Sequence, residues 1–269
     1  MNKQQLRFLG FNETPQILPN NNEFDFPNIE INPEALKDNV EVINSEIRLG
    51  KLVEQFVQFQ LNQIKEIEVI ETNIQIQNDK ITVGELDAIL IESNKPIHLE
   101  IAYKFYLFDT KKEYSSPLAY WIGPNRNDNL LEKLNKFKKK QFPLLYSHQA
   151  QPYLKKYGLK ANTITQKIHF KAQLFLPYNS DNFNLDTINQ NCVCGFYFSF
   201  STIKLFSSFD IYIPKKLDWL IKPYNITEWL EFDVAYTKIK EEYIDQRRSP
   251  LIWVRHNRTT IKKYFVTWW

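Results

Sequence analysis

Two long strand-like segments separated by a four-residue turn constrain the fold of this chain most strongly. Ile81–Glu92 and 97–107 are rich in β-branched and aromatic residues, which fit a pleated, half-buried backbone. The intervening Ser-Asn-Lys-Pro at 93–96 has the composition of a turn. The pattern therefore predicts an antiparallel hairpin inside a larger sheet.

The segments around this hairpin alternate between helical and strand patterns. Apolar residues in 46–64 recur at spacings of three and four, as on one face of an amphipathic helix, and Glu54 lies at the edge of that stripe. Further segments are listed in chain order: a strand at 69–77, a helix at 129–140, strands at Thr165–Pro177, 195–200, 208–213 and 251–256, and a helix at 227–243. The order helix, three strands, helix, strand predicts an α/β sandwich with a mixed sheet.

Composition divides the chain into three predicted parts. Residues 1–43 hold several prolines and an Asn-rich stretch, which predicts an irregular N-terminal arm with one short helix. Residues 44–178 carry the helix–strand order described above and form the predicted core. Residues 179–269 then form a C-terminal α+β extension that packs on the core.

Bulk composition excludes several classes of protein. The chain has 269 residues, of which 43% are hydrophobic and 24% charged, so it is globular and long enough for a sizeable core. No run approaches the 18 apolar residues of a membrane-spanning helix, and the polar N-terminus does not resemble a secretory signal. A cytoplasmic protein is expected, with no membrane partner. The net charge of +3 is too small to demand an anionic partner.

The two cysteines, Cys192 and Cys194, are one residue apart. Neighbours at i and i+2 on a strand form a poor disulfide, and two ligands are too few for a zinc site. We expect buried thiols in a reducing compartment.

Charged residues within the hairpin are the strongest chemical signal. Glu85 and Asp87 share one face of their strand, and Glu100 and Lys104 share one face of the next. Charges on a strand covered by helices are costly unless they are paired or bind a metal. Two carboxylates on adjacent strands can hold a hard divalent cation, and a nearby lysine can act on water or phosphate. A salt-bridge network of Asp87, Glu100 and Lys104, or a solvated strand face, explains the same spacing.

The same hairpin carries a family resemblance. Gly84-Glu85-Leu86-Asp87, followed by Glu-Ile-Ala-Tyr-Lys-Phe-Tyr-Leu at 100–107, resembles an uncharacterised bacterial family, the domain of unknown function 1853. Further matching stretches are 121–125, Asp128, Lys133, 170–178 and 250–251. That family resembles the PD-(D/E)XK nuclease superfamily, which implies a restriction-endonuclease-like αβββαβ core at 44–178 and hydrolysis of DNA phosphodiester bonds.

The resemblance also implies roles for individual residues. Asp87 and Glu100 would bind Mg²⁺ or Mn²⁺, Lys104 would be the lysine of the motif, and Glu54 would be the supporting acid of the first helix. One position departs from the pattern, because the motif places its lysine two residues after the acid, where this chain has Ala102. A relocated catalytic lysine and a fold that has kept binding but lost cleavage both fit this departure. The second possibility is a module that binds nucleic acid or a protein partner.

Basic segments provide candidate contacts for nucleic acid, which the resemblance implies is DNA. Lys138, Lys139 and Lys140 end the predicted helix at 129–140, where they would either contact phosphates or cap the helix dipole. The C-terminal stretch interleaves basic residues with aromatic ones (Arg247, Arg248, Arg255, His256, Arg258, Lys262 and Lys263 with Trp253, Tyr264, Phe265, Trp268 and Trp269). Such a mixture is typical of a nucleic-acid groove, or of a solvated face over core aromatic residues.

His98 shares the Glu100 face and could border the site or be structural. A small-molecule-binding or structural protein, in which the acidic pair is only a salt bridge, is the third class left open.

Overall fold

The structure is a computed structural model that describes residues 1–31, 47–180, 183–225, 227–257 and 259–269. Its α-helices are Lys3–Glu13 (α1), Leu49–Leu61 (α2), Leu130–Lys136 (α3), Phe142–Leu144 (α4), Gln151–Lys156 (α5) and Phe232–Glu242 (α6). Its strands are Ile67–Asn78 (β1), Ile81–Glu92 (β2), Lys95–Phe108 (β3), Trp121–Ile122 (β4), Thr165–Pro177 (β5), Val193–Ser199 (β6), Asp210–Tyr212 (β7), Leu251–Arg255 (β8) and Ile261–Thr267 (β9). A π-helical turn, Phe137–Gln141, connects α3 to α4.

Within the described ranges the nine strands form one mixed sheet. Its order is β1-β2-β3-β5-β6-β9-β8-β7, and the short β4 pairs with β3. The neighbours β1 to β3 are antiparallel, β5, β6 and β9 are parallel, and β7, β8 and β9 are antiparallel. A mixed α/β architecture is therefore confirmed.

The chain divides into two compact units. Unit 1 comprises Met1–Pro15, Lys104–Leu131 and Ala172–Trp269, and unit 2 comprises Gln16–Tyr103 and Glu132–Lys171. The division predicted from the sequence, at 43/44 and 178/179, stays a prediction, and its first boundary lies outside the described residues.

Unit 2 is built on the β1–β2–β3 meander and the helices that cover it. The predicted hairpin is present, with Glu92 opposite Lys95 and Ala88 opposite Leu99. Residues of β1 and β2 pack into a buried cluster with residues of the α4–β5 segment, consisting of Ile74, Ile76, Leu86, Ile89, Leu145, Ala150, Leu154 and Ile164. The predicted helix at 46–64 corresponds to α2, although its predicted first residue, Glu46, lies outside the described part of the chain. Its apolar stripe is buried, and the helix lies against β1.

Unit 1 has its own buried cluster, in which aromatic residues of β6 and β9 pack under α6. Its members are Phe198, Ile203, Phe206, Ile211, Ala235, Ile239, Ile252, Val254, Tyr264 and Val266. Strand β9 was not predicted, because two lysines interrupt its apolar residues. The C-terminal aromatic residues Trp253, Tyr264 and Phe265 are buried, so they belong to the core, while Arg258 lies outside the described residues.

The expectation of two buried thiols is half wrong. Both cysteines are free, and Cys192 is buried while Cys194 is exposed. The reason is local backbone geometry, since Cys192 ends a 3₁₀ turn and only Cys194 lies on β6. Residues that straddle the start of a strand do not share a face.

Among the described residues no helix has the length and apolar content needed to cross a bilayer.

We predict that Phe56→Ala destabilises the protein by about 3–5 kcal/mol, the usual cost of emptying a buried aromatic site. Phe56 is fully buried on the inner face of α2, whereas Gln58 on the same helix is exposed. The matched variant Gln58→Ala should change the free energy of unfolding by less than about 0.5 kcal/mol. Urea denaturation measures both, and equal effects would contradict the placement of α2.

Candidate functional site

The site begins where the pairing of β2 and β3 ends. Ala88 opposite Leu99 is the last pair of the register, so Asp87 and Glu100 are the next positions on the two strands. Here the backbone N–H of Ile101 donates to Asp87 Oδ2 at 2.7 Å instead of to a strand partner. The Asp87 side chain thus takes the place of a backbone acceptor on the neighbouring strand. This hydrogen bond holds the Asp87 carboxyl beside Glu100.

Glu100 is fully buried and is held by two donors of different elements. His98 Nε2 lies 2.9 Å from Glu100 Oε1. The side-chain amide of Gln141, in the π-helical turn, donates to Glu100 Oε2. Each carboxyl oxygen of Glu100 therefore has a fixed partner, and the orientation of the group is determined by the fold.

The tautomer of His98 follows from its neighbours. His98 Nδ1 lies 3.1 Å from the amide nitrogen of Gln166, which can only donate and which also donates to the carbonyl of Phe142. Nδ1 must accept, so Nε2 carries the proton and donates to Glu100. Burial lowers the pKa of His98 to about 4, so at neutral pH this ring is an uncharged donor.

Asp87 and Glu100 form a pair of like-charged acids with raised pKa values. Burial, reinforced by the charge of Glu100, raises the pKa of Asp87 to about 7. Burial also raises the pKa of Glu100, against the opposing influence of Lys133 and of a hydrogen bond with Asp87. Two adjacent carboxyl groups in a desolvated place cannot easily both ionise. Without another cation, the pair therefore keeps a proton near neutral pH.

Helix α2 brings a third acid to the same place. Burial raises the pKa of Glu54, and Lys51 opposes that rise. The negative charge of Asp87 raises the pKa further. Lys51 donates to Glu54 at 2.7 Å and lies 3.3 Å from Glu85. A cavity of about 190 Å³ opens between these residues, lined by Lys51, Glu54, Gln55, Gln58, Leu61, Thr72, Asn73, Asp87, Ala88 and Ile101. The cavity gives a small ligand access to Asp87 and Glu54.

Lys133 on α3 is the cation that acts most strongly on Glu100. Its positive charge lowers the pKa of Glu100 and also that of Asp87. Lys133 also donates to Gln141 Oε1 at 3.1 Å, and Gln141 in turn donates to Glu100. A π-helical turn often marks a functional position in a helix. Here it places Gln141 between the lysine and the buried acid.

Lys104 has a different partner. Its ammonium contacts Asp128 Oδ2 at 2.6 Å, and both side chains are about one-third exposed, at 37% each. Lys104 and Asp128 belong to unit 1, whereas Asp87, Glu100 and Glu54 belong to unit 2. A catalytic role of Lys104 stays a prediction.

The predicted nucleic-acid contacts lie on an exposed surface. Lys138, Lys139 and Lys140 are all exposed and occupy the π-helical turn that also carries Gln141. A contact with phosphates stays a prediction for these lysines.

Sequence reasoning did not assign a site role to Lys133, Gln141 or Gln166. The available signal was weak, since Lys133 and Gln141 are eight residues apart, which places them about 80° apart around a regular α-helix and about 12 Å apart along it. The π-helical turn between them changes that phase, and the sequence pattern did not predict it.

The donor set fits a small, hard divalent cation. Among the described residues, no group of three or more His, Cys, Asp and Glu side chains could hold a metal ion. Mg²⁺ does not need such a cage, because it is commonly bound by one or two carboxylates and keeps several waters. Asp87 and Glu100 supply two carboxyl groups that already require a positive charge beside them.

Fold and site together define a mixed α/β protein with a buried acidic pair where two central strands separate. Residues 22–265 match the family described as a domain of unknown function, DUF1853. Because the match spans most of the chain, the protein belongs to this family. No curated protein and no solved structure matches it.

We predict that the metal-free protein loses stability as the pH rises from about 4 to about 7. Unfolded Asp87 loses its proton near pH 4, while in the folded protein its pKa is raised to about 7. The folded state thus binds more protons in this window, so the free energy of unfolding falls with rising pH and levels off above it.

Asp87→Asn tests this linkage, since an amide oxygen can still accept from Ile101. At pH 8 in EDTA we expect the variant to be more stable than the wild type by on the order of 2 kcal/mol, with a flatter pH profile. Glu68→Gln, at an exposed position on β1, serves as the control and should follow the wild type. A variant less stable than the wild type at pH 8 would mean that Asp87 is a structural salt-bridge partner.

Proposed function

We propose that this protein is a metal-dependent nuclease that hydrolyses phosphodiester bonds in DNA. The observation that carries the proposal is the pairing of half-buried Asp87 with buried Glu100, held in place by Ile101 and Gln141 and accompanied by Lys133. A merely structural ion pair would match acids with bases in equal number. This pair instead keeps two acids together at the cost of a raised pKa for each.

The order of elements in the structure supports a nuclease-like core. Helix α2, strands β1 to β3, the helical segment from α3 to α5 and strand β5 have the αβββαβ order of the PD-(D/E)XK resemblance, apart from the two-residue β4 that is inserted after β3. In this interpretation Asp87 is the acid of the second strand, Glu100 the acid of the third, and Glu54 the acid of the first helix.

Asp87 and Glu100 are the residues that would hold Mg²⁺ or Mn²⁺. The cation would supply Lewis-acid polarisation of the phosphate and a lowered pKa for bound water. The protein's own contribution is orientation: Ile101 fixes Asp87, while His98 and Gln141 fix the two oxygens of Glu100. Glu54 lines the same cavity as Asp87 and would accept a proton from a water molecule there.

Lys133 is our candidate for the missing lysine of the motif. Ala102 occupies the usual position and Lys104 pairs with Asp128, whereas Lys133 acts on both acids. A fixed ammonium group near the acids can stabilise the negative charge that develops on a phosphate. The exposed Lys138, Lys139 and Lys140 on the same helical segment would contact the DNA backbone and give binding a salt dependence.

One observation favours a second candidate, a binding module without cleavage. The residue at the motif's lysine position is alanine, and Lys104 is engaged by Asp128 at 2.6 Å. If Lys133 does not replace that lysine, the same surface would bind nucleic acid or a protein partner and leave the phosphodiester intact.

Cleavage of labelled single-stranded, duplex and branched DNA with Mg²⁺ or Mn²⁺ tests the proposal. We predict that Asp87→Asn and Glu100→Gln abolish cleavage and that Lys133→Met lowers it by roughly 10²-fold or more, the scale for losing a positioned catalytic group. Lys155→Met, at an exposed position of α5, is the control and should keep cleavage within a few-fold.

The variant Lys104→Met tests whether Lys104 or Lys133 has the role of the motif's lysine. If Lys133 carries the role, the Lys104 variant should cleave like the control, and a large loss would assign the role to Lys104 instead. Wild-type protein that binds the metal but cuts none of these substrates would contradict the nuclease and favour the binding module. Absence of metal binding by the wild type would contradict both the site and the mechanism.

A further inference from the structure

Unit 1 contains a cavity of about 400 Å³ that the proposed nuclease chemistry does not use. Its lining comes from α1, β5, β6, β8, β9 and the loops beside them, and consists of Gly10, Glu13, Thr14, Pro15, Ala172, Gln173, Asn191, Cys192, Cys194, Leu220, Lys222, Trp253 and Lys263. This volume is within the range of small-molecule sites. Every residue of the lining belongs to unit 1.

A buried lysine lies in the wall of this cavity. Lys263 is only 7% exposed, and its ammonium donates to the side-chain oxygen of Gln173 and, at 2.9 Å, to the carbonyl of Trp219. Both acceptors are neutral, although an ammonium group has three N–H donors and one full charge. Burying such a charge is costly unless an anion lies beside it.

The charged neighbours of Lys263 do not compensate it. Glu13 is the carboxylate among the described residues of the lining, and it pairs with the exposed Lys222 at 2.7 Å. Burial lowers the pKa of Lys263 to about 8, and the charge of Lys222 lowers it further while Cys194 opposes the shift. Among the described residues of the lining, no carboxylate pairs with this lysine.

A second buried donor lies beside the lysine. Trp253 is opposite Lys263 in the β8–β9 register, and the ammonium lies 5.2 Å from the centre of its ring. The indole N–H of Trp253 is buried, and no hydrogen-bond partner for it exists in the part of the chain that the structure describes. A buried donor left unpaired typically costs about 1–3 kcal/mol, so this position favours a ligand that can accept from it.

We propose that this cavity binds a small organic acid, with its carboxylate accepting from the ammonium of Lys263 and the indole N–H of Trp253. A carboxylate has two oxygens for these two donors. Apolar groups of Pro15, Ala172 and Leu220 line the cavity and would contact the body of the acid. A phosphate would bring further charged oxygens against these groups, which is unfavourable.

Titration of the whole 269-residue chain with sodium benzoate tests the site, without DNA or metal. The probes for comparison are acetate, inorganic phosphate and the neutral benzyl alcohol, and binding is followed by calorimetry and by the indole N–H resonance of Trp253. We expect saturable binding of benzoate that shifts this resonance, with acetate weaker and benzyl alcohol not bound. Phosphate binding tighter than benzoate, or benzyl alcohol binding as well as benzoate, would overturn the proposal.

Substitutions test whether the ammonium of Lys263 and the indole N–H of Trp253 bind the carboxylate. Lys263→Met should weaken benzoate binding tenfold or more, since hydrogen bonds to charged groups are stronger than those between neutral groups. Lys262→Met, at the exposed neighbouring position on β9, should leave the dissociation constant within about twofold. Trp253→Phe keeps an aromatic ring without the N–H and should weaken binding several-fold. Equal affinities for the Lys263 and Lys262 variants would overturn the assignment.

The wild-type protein offers a test that does not depend on the folding of variants. Only the charged form of Lys263 attracts a carboxylate, so affinity should decrease by about tenfold per pH unit above the pKa of the lysine. Bound benzoate should in turn raise that pKa, as read from the side-chain resonances of labelled lysine. Affinity that does not change between pH 7 and pH 10 would overturn the proposal, whatever the outcome of the cleavage assays.

Discussion

The candidate nuclease site depends on one electrostatic constraint: two carboxyl groups are held together where water is largely excluded. The constraint begins in the backbone, because β2 and β3 stop pairing at Ala88 and Leu99 and leave the N–H of Ile101 to Asp87. Glu100 follows on the facing strand and is fully buried. A buried pair of this kind needs positive charge, which can be a proton, a lysine or a metal ion.

Neighbouring groups fix the pair without neutralising it. His98 is an uncharged donor because its other ring nitrogen accepts from Gln166. Gln141 is likewise neutral and links Glu100 to Lys133. Orientation is thus supplied by neutral groups, while Lys133 supplies only part of the compensating charge. The negative charge of the pair that Lys133 does not compensate is the physical reason that we propose a divalent cation at Asp87 and Glu100. In unit 1, Lys263 presents the opposite case, a buried cation held by neutral oxygens.

Much of the sheet was predictable from the sequence, since strand alternation and turn composition are local signals. Ile81–Glu92 and Thr165–Pro177 have the predicted bounds, and the hairpin pairs as expected. Strand β9 was missed because Lys262 and Lys263 break its apolar pattern, and only tertiary packing shows that Lys263 is buried. The burial of the two cysteines was also not predictable from local pattern, because β6 begins between them and their spacing does not indicate where a strand starts.

Within the site, the acids were predictable and their partners were not. Glu54, Asp87 and Glu100 stand out because charges are unusual on the covered faces of a helix and of central strands. Lys133 and Gln141 come from a helical segment whose π-helical turn alters which residues share a face. Lys104 stands on the same strand face as Glu100 by sequence periodicity, yet its ammonium is engaged by Asp128. Reach and competition between partners decide such contacts, and neither is contained in a spacing rule.

The central claim is that Asp87 and Glu100 together keep a proton that a divalent cation replaces. The most direct measurement is the number of protons released when Mg²⁺ binds at pH 7, obtained by calorimetry in buffers of different ionisation enthalpy. Since binding to a protonated carboxyl pair must displace protons, the account predicts release of about one proton per Mg²⁺ bound by the wild type. Binding of Mg²⁺ with no proton release, or with the same release in Asp87→Asn, would contradict it.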